Sequence, residues 1–204
     1  MKTIRSLWLP TVLFIVLLAA VAGYFLFRPQ RFHGQLIEPP YPVPSFTLQS
    51  SNGPVSLSDF KGKVVVLYFG YTSCPDVCPV TLATLHQALA SLGSKANAVQ
   101  VLFVSVDWKR DTTDVTANYV SHFDPSFTGL SGTQEQIDAV TKDLGIFYLL
   151  NLPNQEGQYS VDHTASIRVL DHEGNLKLVW PDGLQPYEMA ADLKALIAAS
   201  RQAR

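Results

Sequence analysis

The pattern of apolar and polar positions begins with a long apolar run near the N-terminus. Between Arg5 and Arg28, no charged residue interrupts the stretch from Ser6 to Phe27. As a helix, these 22 residues would extend about 33 Å, which is enough to cross the hydrocarbon core of a bilayer. The pattern therefore predicts an N-terminal transmembrane helix, with residues 1–28 as a membrane anchor.

A cleaved signal peptide is the alternative for this run, because Ala20-Val21-Ala22 resembles a small-residue cleavage site. The apolar run is long for a signal peptide and continues past Ala22 to Phe27, which favours an uncleaved helix. Both interpretations export the rest of the chain if its source is bacterial. We expect a single-pass protein of the inner (cytoplasmic) membrane whose soluble domain faces the periplasm.

A proline-rich stretch follows the apolar run. Residues 29–44 contain five of the 13 prolines of the chain, together with one glycine. This composition predicts an extended spacer that holds the next domain away from the membrane. An irregular arm folded onto the domain is the alternative. We place the folded domain at residues 45–204.

Within residues 45–204, apolar runs that are typical of buried strands alternate with helical patterns. The predicted strands cover 64–69, 99–106, 127–130, 146–150, 164–170 and 176–180, and the predicted helices cover 80–92, 112–122, 133–145 and 186–200. A hairpin is also predicted around Asn52-Gly53. The two longest apolar strands are typical of a sheet that is covered on both faces. This order of elements predicts an α/β fold.

The only two cysteines, Cys74 and Cys78, lie where the first long strand is followed by a helix. Free N–H groups and the positive end of a helix dipole lower the pKa of a thiol at such a turn. The pair is therefore suited to redox exchange, to metal binding, or to both. Its position at the end of a central strand makes the predicted fold thioredoxin-like, with an insertion over about 113–160.

The Cys-x-x-x-Cys spacing can close a disulfide, and it can also hold one metal ion. Thiolates favour Cu(I), zinc and iron–sulfur clusters, but two cysteines alone do not complete a zinc site or a cluster. A third ligand is needed, and His163 is a candidate because a long polar loop enters a strand there. A hydrogen-bonded histidine near a strand end is the alternative. The other histidines are expected to be surface or packing residues: His33, His86, His122 and His172.

The overall charge of the chain argues against one class of partner. The formal net charge is −2, and no basic run follows the first residues. Nucleic acid is therefore not expected to bind.

Three segments resemble the Sco/SenC family. Residues 68–79, Tyr-Phe-Gly-Tyr-Thr-Ser-Cys-Pro-Asp-Val-Cys-Pro, are similar to its signature. The resemblance extends to residues 105–107 with 110–112, and to Val161-Asp162-His163-Thr164. Members of this family are membrane-anchored, thioredoxin-like copper proteins of cytochrome c oxidase assembly. The resemblance implies that Cys74, Cys78 and His163 bind copper as Cu(I), Cu(II) or both.

The resemblance also implies a function and partners. We expect a metallochaperone that delivers copper to the dinuclear copper site of cytochrome c oxidase subunit II. The main alternative is a thiol–disulfide reductase that uses Cys74 and Cys78 to keep the copper-ligand cysteines of subunit II reduced. A redox or copper sensor without transfer activity is a third hypothesis. A second copper chaperone or a thiol reductase would be a further partner.

Several residues near these segments have two interpretations. Asp76, between the cysteines, either tunes a thiol pKa or caps a local turn. Asp107 and Asp111 resemble acidic residues of the family, which implies that they orient the site loop or shape a partner contact; a solvated loop is the alternative. Trp108 and Thr113 occupy positions where prolines are frequent in the family, which leaves the rigidity of this loop open.

Overall fold

The computed structural model describes residues 5–26 and 31–202, which fall into two compact units, Met1–Arg31 and Phe32–Arg204. Helix α1 (Arg5–Leu26) is the element of the first unit. The transmembrane helix predicted within residues 1–28 is not found, since no helix of the described part of the chain is both long and apolar enough to span a bilayer. The predicted boundary at 28–29 lies outside the described residues.

The second unit alternates strands and helices, which confirms the predicted α/β class. Its strands are β1 (Gln35–Pro42), β2 (Thr47–Ser50), β3 (Gly53–Ser56), β4 (Val64–Gly70), β5 (Val99–Ser105), β6 (Thr128–Leu130), β7 (Tyr148–Leu150), β8 (Val161–His163), β9 (Ile167–Leu170) and β10 (Asn175–Trp180). Its helices are α2 (Val77–Ala90), α3 (Thr113–Ser121), α4 (Gln134–Asp143) and α5 (Pro186–Gln202). The predicted hairpin around Asn52-Gly53 is the β2–β3 pair.

Six strands form the main sheet in the order β1-β10-β9-β4-β5-β6. The two central strands, β4 and β5, are parallel, and their register pairs Val64 with Val99 and Gly70 with Ser105. Every residue of β4 is buried, as expected for a strand covered on both faces. Because the two parallel strands end side by side, the loops that follow Gly70 and Ser105 are neighbours.

Residues 35–42, expected to belong to an extended spacer, instead form the edge strand β1, which pairs antiparallel with β10. Prolines are tolerated there because an edge strand does not have to donate every N–H to a neighbour. The start of the strand is fixed by Asp192 of α5, which accepts hydrogen bonds from the backbone N–H groups of His33 (2.9 Å) and Gly34 (3.0 Å). The folded unit therefore begins at Phe32 rather than at residue 45.

Two further boundaries differ from the sequence prediction, and both concern the cysteine and histidine segments. Helix α2 begins at Val77 instead of residue 80, so Cys78 lies in its first turn and Pro79 is its third residue. Proline is compatible with this position because the first four N–H groups of a helix have no partner within the helix. His163 does not open the strand of residues 164–170; it ends the short strand β8, which pairs with β7 in a separate two-stranded sheet.

Candidate metal centre

Cys74, Cys78 and His163 lie together, with one ligand atom of each within 4.8 Å of the others. Nε2 of His163 is 3.6 Å from Sγ of Cys78, although the two residues are 85 positions apart in the chain. Both cysteines are free thiols. The structure thus brings together the three residues predicted as ligands, while their binding of a metal ion stays a prediction.

The end of β4 leaves space for the sulfur of Cys78. A Cβ atom on Gly70 would lie 2.8 Å from Sγ of Cys78 and 2.9 Å from the ring of Phe103. Such contacts are too short for carbon, so any larger residue would displace the sulfur or the ring. The sequence did not indicate this role for Gly70. Its neighbours are Phe103 on the adjacent strand and Cys78 in the first turn of α2, and the local sequence pattern does not show either contact.

The two thiols differ in exposure and in pKa. Cys74 is half-buried; burial acts to raise the pKa of its thiol, but hydrogen bonds from the backbone N–H groups of Asp76 and Cys78 and from the side chains of Cys78 and Tyr71 together lower the pKa. Cys78 is fully buried, and loss of solvation raises the pKa of its thiol to about 12. Cys74 is therefore the thiol that ionises more easily and that a partner can reach.

His163 presents a neutral nitrogen to the sulfur atoms. Its Nδ1 lies 3.2 Å from the carbonyl oxygen of Thr164, which can only accept, so Nδ1 carries the proton and Nε2 keeps its lone pair. Burial lowers the pKa of the imidazole, which favours this neutral form. The rings of Tyr68 and Tyr71 pack against the imidazole edge-on, with centroids 6.4 Å and 5.9 Å away.

The acidic residues near the site are not part of the ligand cluster. Asp107 and Asp111 are 0% and 3% exposed, so the interpretation of a solvated loop is wrong. Asp76 is exposed, and its side chain makes no capping hydrogen bond to α2. Trp108 is half-buried beneath Lys109, whose Nζ lies 5.0 Å from the centre of the indole ring.

The remaining histidines lie apart from the cluster, as predicted. His33 contacts Asp192, and Nδ1 of His86 lies 2.8 Å from a carboxylate oxygen of Asp124. His122 contacts a backbone carbonyl of its own helix, and His172 lies in the turn between β9 and β10. Within residues 5–26 and 31–202, one group of at least three histidine, cysteine, aspartate or glutamate side chains is close enough to share a metal ion. It consists of Cys74, Cys78 and His163.

The donor set fits a soft, low-coordinate metal ion. Two donors that bind one ion through bonds of about 2.3 Å can be no more than about 4.6 Å apart, so the separation of up to 4.8 Å found here is already close to binding distance. Two sulfur donors and one imidazole suit copper better than structural zinc, which takes a fourth protein ligand. An open groove of about 430 Å³ between Tyr71, Pro75 and Tyr159 adjoins the site.

The fold and the site define a class of protein: a thioredoxin-like α/β domain with a Cys-Cys-His cluster that could hold a metal ion. A family model described as SCO1/SenC matches residues 35–198. The chain belongs to the SCO1/SenC family, which confirms the resemblance found in the sequence.

Comparisons with individual proteins agree with this family assignment. The chain is 39% identical over 132 residues to the protein SCO2 homolog, mitochondrial, of Bos taurus; the match covers 63% of this chain and 50% of that protein. The chain thus spans about half the length of this relative. Among solved structures, apo Sco1 of Thermus thermophilus has a TM-score of 0.76 and 42% identity, over 83% of this chain and 99% of that chain. ScoI of Bradyrhizobium japonicum, solved with copper bound, has a TM-score of 0.70 and 38% identity, over 76% and 99%.

Proposed function

We propose that this protein binds one copper ion through Cys74, Cys78 and His163 and delivers it to the dinuclear copper site of cytochrome c oxidase subunit II. The observation that carries the proposal is the convergence of the three side chains. Membership of the SCO1/SenC family supports copper and oxidase assembly, and subunit II as the acceptor follows from the family resemblance alone. Export to the periplasm, expected from the sequence, stays a prediction.

Each side chain has a distinct part in holding and releasing the ion. The thiolates of Cys74 and Cys78 provide soft donors for Cu(I), and Nε2 of His163 adds a nitrogen that also suits Cu(II). Cys74 is the accessible ligand, so an incoming ligand of the acceptor would replace it first. Cys78 is fully buried and would keep the ion in place, together with His163, until the transfer is complete.

A histidine substitution tests the site. In the reduced full-length chain, His163→Ala removes one of three donors, and we expect Cu(I) affinity to fall by about 10-fold or more. Competition with a coloured Cu(I) chelator under anaerobic conditions measures the change. His86→Ala is the matched control, because His86 is exposed and bound to Asp124, away from the cluster. Equal affinities for the His163 variant and the unchanged chain would refute the ligand assignment.

A thiol–disulfide reductase is the second candidate, and the contrast between the two thiols favours it. Cys74 is accessible with a lowered pKa, which suits attack on a disulfide, and buried Cys78 would resolve the mixed disulfide. The two thiols would become a Cys74–Cys78 disulfide as the subunit II disulfide is reduced to two thiols. The same His163→Ala variant separates the functions, because reduction needs both cysteines but not the imidazole.

A further inference from the structure

The loop between β5 and α3 contains two buried carboxylates that the metal site does not use. Asp107 and Asp111 are 0% and 3% exposed, and burial of a carboxylate is costly unless hydrogen bonds compensate for the lost water. Both side chains have such bonds. Their partners include Thr72 of the cysteine segment and Tyr159 of the histidine segment.

Asp111 is bonded to the cysteine segment. Its Oδ2 accepts hydrogen bonds from the backbone N–H of Thr72 (2.8 Å) and the hydroxyl of Ser105 (2.6 Å). Its Oδ1 accepts a third from the hydroxyl of Thr72 (2.7 Å). Thr72 precedes Cys74 by two residues, so these bonds fix the start of the cysteine turn to the end of β5.

Asp107 and Arg110 are bonded to the histidine segment. The hydroxyl of Tyr159 donates to Oδ1 of Asp107 (2.7 Å), while Nε of Arg110 donates to Oδ2. The guanidinium of Arg110 donates through Nη1 to the carbonyl of Tyr159 (3.0 Å) and lies 3.7 Å from the centre of its ring. Tyr159 lies just before β8, so this pair fixes the segment that ends in His163.

The two sets of contacts share one short, internally bonded loop. The backbone N–H of Asp111 donates to the carbonyl of Asp107 (3.0 Å), which makes the loop a compact turn. The guanidinium of Arg110 also lies 6.0 Å from the centre of the Tyr71 ring, which in turn packs against His163. A displacement of either ligand segment therefore acts on the same loop.

We propose that Asp107, Arg110 and Asp111 are positioning residues that hold the cysteine turn and the histidine strand at ligand distance before a metal ion arrives. The inference rests on the proposed copper function. Groups that orient ligands typically change metal affinity by about 10- to 100-fold, because the cost of ordering the ligands is then met during folding instead of during binding. Loss of one set of contacts should disturb one kind of ligand.

Two hydroxyl deletions test this proposal in the full-length chain without leaving a buried charge unpaired. Thr72→Val removes one bond to Asp111, and Tyr159→Phe removes one bond to Asp107. Thr47→Val and Tyr187→Phe are matched controls, because Thr47 lies in the β2–β3 hairpin and Tyr187 is 68% exposed. Chelator competition gives Cu(I) affinity, and the Cu(II) forms are compared by optical and electron paramagnetic resonance spectra.

We expect each deletion, but neither control, to weaken Cu(I) binding by about 10-fold, the lower end of the range for orienting groups. Thr72→Val should shift the sulfur-to-Cu(II) charge-transfer band, and Tyr159→Phe should change the nitrogen hyperfine pattern. Unchanged spectra in both variants would overturn the proposal even if thermal stability falls, because a purely structural role alters stability alone.

Hydrogen exchange of the metal-free chain gives a readout that does not depend on copper. The positioning role predicts faster exchange of residues 71–78 in Thr72→Val and of residues 161–163 in Tyr159→Phe. Exchange equal to that of the unchanged chain would overturn it. If the unchanged chain binds no copper, the proposed function fails, whereas the exchange result still decides whether the loop holds the two segments together.

Discussion

At the scale of single residues, the site depends on two thiols whose protons must leave when a metal ion binds. Burial raises the pKa of Cys78 to about 12, so this thiol is protonated in neutral solution. The pKa of Cys74 lies below its usual value because hydrogen bonds from backbone and side-chain groups together outweigh the effect of burial. Binding therefore releases the proton of Cys78, whereas Cys74 is the easier of the two thiols to ionise.

The release of this proton makes copper affinity depend on pH. Between about pH 6 and pH 8, we expect the apparent Cu(I) affinity to rise about tenfold or more per pH unit, because each unit makes loss of the Cys78 proton tenfold more favourable. Chelator competition at several pH values, corrected for protonation of the chelator, measures the slope. An affinity that does not vary with pH would show that Cys78 binds as a thiol or not at all.

The three residues that lie together could be singled out from the sequence, but their surroundings could not. Cys74 and Cys78 were recognisable because a strand and a helix flank them, and His163 because of its place after a long loop and the family resemblance. Gly70 and Tyr159 were missed, since each acts through a contact with a residue distant in the chain. No periodicity or spacing reports such contacts.

At the scale of secondary structure elements, local sequence signals were sufficient to predict an element whose stabilising contacts lie within the element itself. Thr133 and Gln136 form a capping box at the start of α4, and Thr112 caps α3, so both predicted helices begin at their local signals. Strand β1 was not predicted, because its prolines suggest a spacer and its pairing partner, β10, lies more than a hundred residues further along the chain. Long-range pairing decided the structure of this segment.

A buried carboxylate fixes the start of β1, and its removal should loosen the strand. Asp192 is 1% exposed and accepts hydrogen bonds from the backbone of His33 and Gly34 and from the indole of Trp180. Asp192→Ala leaves these buried donors without an acceptor, so we expect the free energy of unfolding to fall by about 3 kcal/mol. Urea denaturation measures the loss, and hydrogen exchange should locate it in β1.

Two controls accompany the Asp192→Ala experiment. Asp182→Ala removes an exposed carboxylate near α5 and should leave stability unchanged. Copper affinity of the Asp192 variant should equal that of the unchanged chain, because Asp192 has no contact with the ligand cluster. A stability equal to that of the unchanged chain would show that the carboxylate does not hold β1 in solution.

At the scale of the whole molecule, the candidate metal site joins parts of the chain that a disulfide between its cysteines would not. Cys78 and His163 are 85 positions apart, whereas Cys74 and Cys78 are four apart and already share one turn. The sheet brings the segments together because β4 and β5 end side by side and the loop after β5 contacts both. An ion bound there therefore requires the folded state.

Bound copper should consequently raise the free energy of unfolding by more than a Cys74–Cys78 disulfide does. A ligand that binds only the native state at a hundred times its dissociation constant adds about 2.7 kcal/mol to the free energy of unfolding. Thermal unfolding of the full-length chain with and without Cu(I) measures this gain, and the His163→Ala variant at the same copper concentration should show a smaller one. Equal unfolding temperatures with and without copper would contradict a site formed by the fold.

The position of β1 at the sheet edge has a mechanical consequence. Strands β10 and β9 lie between β1 and β4, and β4 leads into the cysteine turn. A force applied to the chain ahead of Phe32 would be borne first by the β1–β10 pairing and the contacts of Asp192. Tension on the N-terminal side would therefore separate β1 from β10 before the force reached the two sulfurs and the imidazole.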